Sequence, residues 1–320
     1  MFVSCGIGIK RSQETKTTSD DQLHERIQKW LSPPDPSINH NTACETHHNG
    51  TAAWFLEGRI YNEWKATGAL LWTHGNRTVL HSCSAYAAND LCFCSGVRQE
   101  CSLVGTRQST LLTQLILVTS SSIIKDIESL RATGLASAVY YYFDFKDTGK
   151  QDRRGLLSSL LTQLCTRPHH GYDMLSKLYK AHQNGSRQPS EADLIQCLKD
   201  VLAFPGHGRV YIVVDAVDES PNKPGIPSPR EKVLQLMKEL VDLCHSDLRV
   251  CITSRPEVDI RTVLEPLASH AVSLHDERGQ MSDINNYIES VVESDANMRK
   301  WRPEDRRLVI DSLSRKASGM

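Results

Sequence analysis

Five apolar residues in a row, Val210-Tyr-Ile-Val-Val214, run directly into Asp215-Ala-Val-Asp218-Glu219. A continuous apolar run of this length, without alternation, predicts a strand buried on both faces. Such a strand calls for a parallel sheet with helices above and below it. Its terminal acids then emerge at the C-terminal edge of the sheet, where open α/β sheets hold their ligands. At that edge Asp215 suits a Mg²⁺ held through water, and Asp218 or Glu219 suits a residue that orients or deprotonates an attacking water.

The flanking sequence repeats the alternation. Segments 69–75, 138–145, 248–253 and 271–274 read as further strands. Helices are expected over Leu23–Leu31, around Leu156 to Leu164, from Ser190 with Asp193 as cap partner, along Val233, Leu236, Leu240 and Leu243, and near 282–293 and 303–316. Trp54, Phe55, Leu56, Ile60, Tyr61 and Trp64 also recur at helical spacing. One strand, Val250-Cys-Ile-Thr-Ser-Arg255-Pro256, ends in an arginine. From a strand's C-terminal end an arginine can reach a terminal phosphate and stabilise its developing charge. The expected organisation is a polar, disordered tail over 1–22, an α/β domain over 23–274, and the start of a helical region over 275–320.

Composition narrows the partners. The 37 Lys and Arg balance 38 Asp and Glu, leaving a net charge of −1 and no basic footprint for nucleic acid. The most apolar stretch, 111–124, is interrupted by polar residues and falls short of the roughly 20 needed to span a bilayer. The first ten residues are too short an apolar run for a secretory signal, so the reading is a cytoplasmic protein that does not engage membranes. Ten cysteines in 320 residues do not make a disulfide scaffold, and Cys165, Cys197, Cys244 and Cys251 are expected to be buried thiols. Cys83, Cys92, Cys94 and Cys101 cluster, but structural zinc sites pair their cysteines at Cys-x₂₋₄-Cys, a spacing this group lacks. His47-His48 and His169-His170 read as polar loop residues.

Taken in order, Gly50-Thr-Ala-Ala-Trp-Phe, Leu70-Leu-Trp-Thr-His-Gly75, Tyr141-Tyr-Phe-Asp-Phe-Lys, the Leu156–Leu164 helix, Asp215-Ala-Val-Asp-Glu219 and Thr253-Ser-Arg-Pro256 resemble the fungal NACHT proteins and the related nephrocystin-type N-terminal module. Both lie within the STAND class of signalling P-loop NTPases. The resemblance covers about 23–76 and 120–320. It implies a three-layer P-loop NTPase fold with a mainly parallel sheet, and ATP or GTP with Mg²⁺ as cofactor. It also implies a switch in which nucleotide exchange and oligomerisation, with copies of itself or other signalling proteins, turn an output on. In that family Asp215 would be the Mg²⁺-linked acid, Glu219 or Asp218 the hydrolytic acid, Arg255 the sensor, and Thr51 and Trp54 neighbours of the base.

The departure falls on the phosphate-binding loop. The family follows its Leu-Trp-x-x-Gly strand with Gly-x-x-x-x-Gly-Lys-Ser/Thr, whose amides and lysine cradle phosphates and whose hydroxyl holds Mg²⁺. Gly75 can serve as the first glycine, but Leu80 and His81 follow, and neither Gly-Lys-Ser nor Gly-Lys-Thr occurs anywhere in the chain. Gly149-Lys150 is a decoy, followed by Gln151. Residues 77–119 read as an anomalous insert, a translated intron or a briefly lost frame, with a genuine insertion loop as the alternative. The chain is therefore expected to be impaired in nucleotide binding and inactive as a hydrolase. The rivals are a pseudo-NTPase interaction module and a working NTPase with an atypical phosphate loop.

Overall fold

The computed structural model describes residues 21–45, 52–75, 119–134, 136–165, 170–204, 208–223, 227–274 and 298–317, with short pieces between 285 and 293. Five strands, β1 (Ala69–His74), β2 (Ala136–Tyr142), β3 (Arg209–Asp215), β4 (Leu248–Ser254) and β5 (His270–Ser273), form one all-parallel sheet in the order β2-β3-β4-β1-β5. Every residue of β4 is buried, and so is all of β3 after Arg209, as expected of central strands covered on both faces. The register sets Tyr142 beside Asp215 and His74 beside Ser254, so β1, β3 and β4 end at one edge.

Alternate side chains point to opposite faces and build two cores. One face carries Leu70, Trp72, Tyr141, Ile212, Val214, Val250 and Ile252, packed by the helices 21–31, Arg153–Leu164, Glu191–Ala203, Pro229–Asp242 and Val258–Leu267. The other carries Leu71, Tyr142, Tyr211, Val213 and Cys251, packed by Phe55, Tyr61 and Trp64 from one side and Ile123, Ile124 and Ile127 of the helix 119–132 from the other. Asp126 pins these two groups together, accepting Tyr61 Oη at 2.7 Å and Lys65 Nζ at 2.6 Å. Sheet and helices make three layers, the α/β architecture expected of a P-loop NTPase.

Several boundaries differ from the sequence reading. The strand expected over 138–145 runs from Ala136 and ends at Tyr142, because Asp144 and Asp147 accept the amides of Lys146 and Gly149 and curl the chain away. The aromatic run from Trp54 is two helices, Ala53–Leu56 and Arg59–Thr67, divided at Gly58. Two helices lie where none was read: Ser37–Glu45, which buries only His40 and Ala43 and so lacks an apolar stripe, and His170–Ala181. His170 thus opens a helix instead of sitting in a loop. Cys244 is exposed, set in a left-handed turn (φ 47°) beyond the helix Pro229–Asp242, whereas Cys165, Cys197 and Cys251 are buried as expected. Ser190 and Asp193 form the reciprocal cap anticipated for their helix, and Ser228 and Glu231 form another around Pro229. The helix expected near 303–316 is Pro303–Ala317. Thr51, the segment 76–118 with its four cysteines, His47-His48, His169, residues 1–20 of the expected tail, and positions 282–284, 287 and 291 of the helix expected over 282–293 fall outside the described residues. No helix among the described residues is long and apolar enough to cross a membrane.

Gly155, in the first turn of Arg153–Leu164, brings that helix against the 144–150 turn. A Cβ there would stand 2.2 Å from Gly149 O and 2.9 Å from the Tyr141 hydroxyl. Gly155→Ala is expected to cost about 1–3 kcal/mol by overpacking, read as a lower urea midpoint. An unchanged midpoint would contradict the close approach.

Candidate functional site

β3 ends abruptly. Asp215 completes the strand, Ala216 takes a left-handed conformation (φ 56°, ψ 46°), and Val217–Glu219 follow as a single 3₁₀ turn. A non-glycine residue in that region is strained, and such strain persists only where its surroundings enforce it. Here Thr253 of β4 does so, accepting the Ala216 amide on its hydroxyl at 3.1 Å. The same hydroxyl donates to Asp215 Oδ1, as does Ser120 at the start of the helix 119–132. One carboxylate oxygen therefore ties together β3, β4 and the helix 119–132. The other, Oδ2, is buried and has no hydrogen-bond partner among the described residues.

Burial is the main reason that the Asp215 carboxyl is pushed up to about 6; its two hydroxyl partners pull the other way, and Glu219 and Asp218 push with burial. A buried acid with one orphaned oxygen and two neighbouring carboxyls suits a cation, and an all-oxygen donor set of this kind suits Mg²⁺. By that criterion Asp215 fits the ion, with the Ser120 and Thr253 hydroxyls beside it.

Three residues on, Asp218 is buried and faces β4. Its Oδ1 accepts the Arg255 amide at 2.9 Å and its Oδ2 accepts Arg255 Nε at 2.7 Å. Burial alone would lower the Arg255 guanidinium's pKa; the hydrogen bond and charge of Asp218, helped by Glu257 and Glu219, outweigh it and raise the value above the usual range. Glu219 is half-buried and accepts the Phe145 amide at 3.3 Å. Behind this turn lies Arg230, 6% exposed. Its Nη2 donates to Asp218 O at 2.6 Å, its Nε donates to Ser220 O at 2.9 Å, and its Nη1 pairs with Glu257 and Asp259.

Asp215, Asp218, Glu219 and Arg255 thus share one sheet edge. Gly75 lies at that edge too, its amide donating to Ser254 O at 3.4 Å, so that N–H is directed to β4. Trp54 is half-buried and packs edge-to-face on Phe55 at 5.6 Å, apart from the polar contacts that join the acids and Arg255. Lys150 of the Gly149-Lys150 pair is buried, and its ammonium donates to Asn39. Ser120, Thr253 and Arg230 join the site as residues without a role in the sequence motifs. Thr253 was legible as a hydroxyl two residues before a strand-end arginine; Ser120 and Arg230 lie too far from their partners in sequence to be found.

The fold is α/β, with its polar residues gathered at the C-terminal edge of a parallel sheet. A family model described as Nephrocystin 3, N-terminal matches residues 117–255, from the start of the helix 119–132 through Arg255. The chain is similar to that family over this central stretch, which carries β2, β3 and β4 and all of the Asp215–Asp218–Arg255 cluster. No curated protein matches the chain.

Proposed function

We propose that this chain is a NACHT-type nucleotide switch module in cytoplasmic signalling whose grip on ATP or GTP is weakened. The observation that carries the reading is the convergence on Asp215: a hydroxyl from the helix 119–132 and a hydroxyl from β4 on one carboxylate oxygen, with the other oxygen orphaned. In this reading Asp215 holds Mg²⁺, Arg255 senses the terminal phosphate, and Glu219 serves the attacking water. Mg²⁺ supplies charge neutralisation on the phosphates when bound. Thr51 and Trp54 are retained as candidates for the base, and self-association or other signalling proteins as the output.

The weakness follows from chemistry missing between Gly75 and Ser120. Charge-assisted hydrogen bonds from a lysine and loop amides contribute roughly 1.5–3 kcal/mol each. Losing two costs about 3–6 kcal/mol, on the order of a hundredfold to ten-thousandfold in affinity. Calorimetry with Mg-ATP should therefore show no saturable binding at micromolar nucleotide. Replacing residues 76–118 by a loop containing Gly-Lys-Thr should restore it, and Glu219→Gln in that protein should retain ATP while slowing hydrolysis. Tight Mg²⁺-dependent binding by the unaltered chain, abolished by Asp215→Ala, would overturn the weakened-switch reading in favour of a working NTPase. A folded chain that stays unable to bind with the loop restored would favour a pseudo-NTPase interaction module.

A further inference from the structure

The turn after β3 offers two acids to one task, and sequence treats them as interchangeable. The structure separates them. Both oxygens of Asp218 are engaged by a single residue: Arg255 presents its backbone N–H to Oδ1 and its Nε–H to Oδ2. Gripping an arginine by its amide and its Nε fixes the side chain at both ends of its stem. It leaves the Nη edge of the fork outside the Asp218 grip, with Nη2 3.5 Å from Glu257. The grip is itself supported. Arg230 holds the Asp218 main chain through its carbonyl and also holds Glu257, so acids and arginines alternate along Asp218–Arg255–Glu257–Arg230. Glu219, half-buried, accepts the amide of Phe145 in the loop after β2 and adds its charge beside Arg255.

We propose that Asp218 is a positioning residue for Arg255, holding its guanidinium ready for a phosphate, and that Glu219 alone is the acid that serves water. This rests on the nucleotide-switch reading above. Fixing the fork in advance removes the cost of ordering a long side chain when the ligand arrives, and it points the Nη edge in one direction. A carboxylate with both oxygens on an arginine is badly placed to orient a water as well. The two acids therefore divide the work between them.

The test is the Nε–H resonance of Arg255 in ¹⁵N spectra of the full chain without nucleotide, assigned by its loss in Arg255→Lys. The resonance is expected downfield, with hydrogen exchange slowed about tenfold relative to Asp218→Ala. Asp218→Asn, whose amide oxygen accepts one bond, should recover part of the protection, and Glu219→Gln should leave the signal in place. Adding millimolar Mg-ATP should shift the Nη groups and leave Nε–H where it is. Loss of protection in Glu219→Gln, or full protection in a folded Asp218→Ala chain, would overturn the assignment. So would release of Nε–H by Mg-ATP, which would make Asp218 a latch that the ligand opens. If millimolar Mg-ATP moves no resonance even after the phosphate loop is restored, the switch reading fails, while the variants still decide which acid holds Arg255.

Discussion

Arg230→Ala is expected to destabilise the protein by about 3–5 kcal/mol, the range for removing one partner of a buried charge cluster. The loss is compound. Asp218 O and Ser220 O lose donors at 2.6 and 2.9 Å, and Glu257 and Asp259 lose the cation that lets them sit beside each other. A stability of 5–15 kcal/mol is usual for a domain, so the variant should unfold at a much lower urea concentration. Adding Glu257→Gln should recover part of the deficit, because one uncompensated acid is then removed. A midpoint within about 0.5 kcal/mol of the parent, the range of ordinary surface substitutions, would show that Arg230 is not structural.

The second large effect has the opposite sign. Asp215 has a carboxyl raised from 3.8 to about 6 by burial, so its charged form is less favourable in the folded chain than in the unfolded one. A raised carboxyl leaves stability intact below the unfolded value and removes it as pH rises through the folded one. The ion-free protein should therefore lose roughly 2–2.5 kcal/mol between pH 4 and pH 7 from this one group. Asp215→Asn escapes the loss: at pH 7.5 it should unfold at a higher temperature than the parent, and at pH 4 the two should nearly coincide. Millimolar Mg²⁺ should then raise the parent's midpoint and leave that of Asp215→Asn where it was. An asparagine variant that is less stable at pH 7.5 would mean that the two hydroxyl bonds to Oδ1 outweigh burial. Such a residue costs the fold something when the site is empty, which is how binding residues commonly behave.

The sheet was legible because its strands obey simple rules. Val210–Val214 is apolar throughout and β4 carries the unbroken run Val250-Cys-Ile252, the pattern that two-sided burial produces. The cap at Ser190 was legible because its partner is three residues away. What could not be read depends on distance along the chain. Ser120 meets Asp215 across 95 residues, and no local pattern marks a serine for that meeting. The helix Ser37–Glu45 has no apolar stripe to announce it; it is seated by His40 over Tyr140 and by Asn39 on Asp144. The division between Asp218 and Glu219 was equally invisible, because it turns on which carboxylate the left-handed Ala216 swings toward β4.

The order of the strands has a practical consequence for engineering. Gly75 is tied to β4 and Ser120 to β3, and these strands are neighbours in the sheet. β1 and β3 flank β4, so the two anchor points stand within about two strand spacings of each other, ~10 Å. An extended residue covers about 3.3–3.6 Å, so a linker of only about four or five residues could bridge the gap. A designed loop that replaces the stretch between Gly75 and Thr119 therefore has only that distance to span, between two fixed anchor points. Phosphate chemistry can then be rewritten as a cassette, on a sheet that need not be redesigned to receive it.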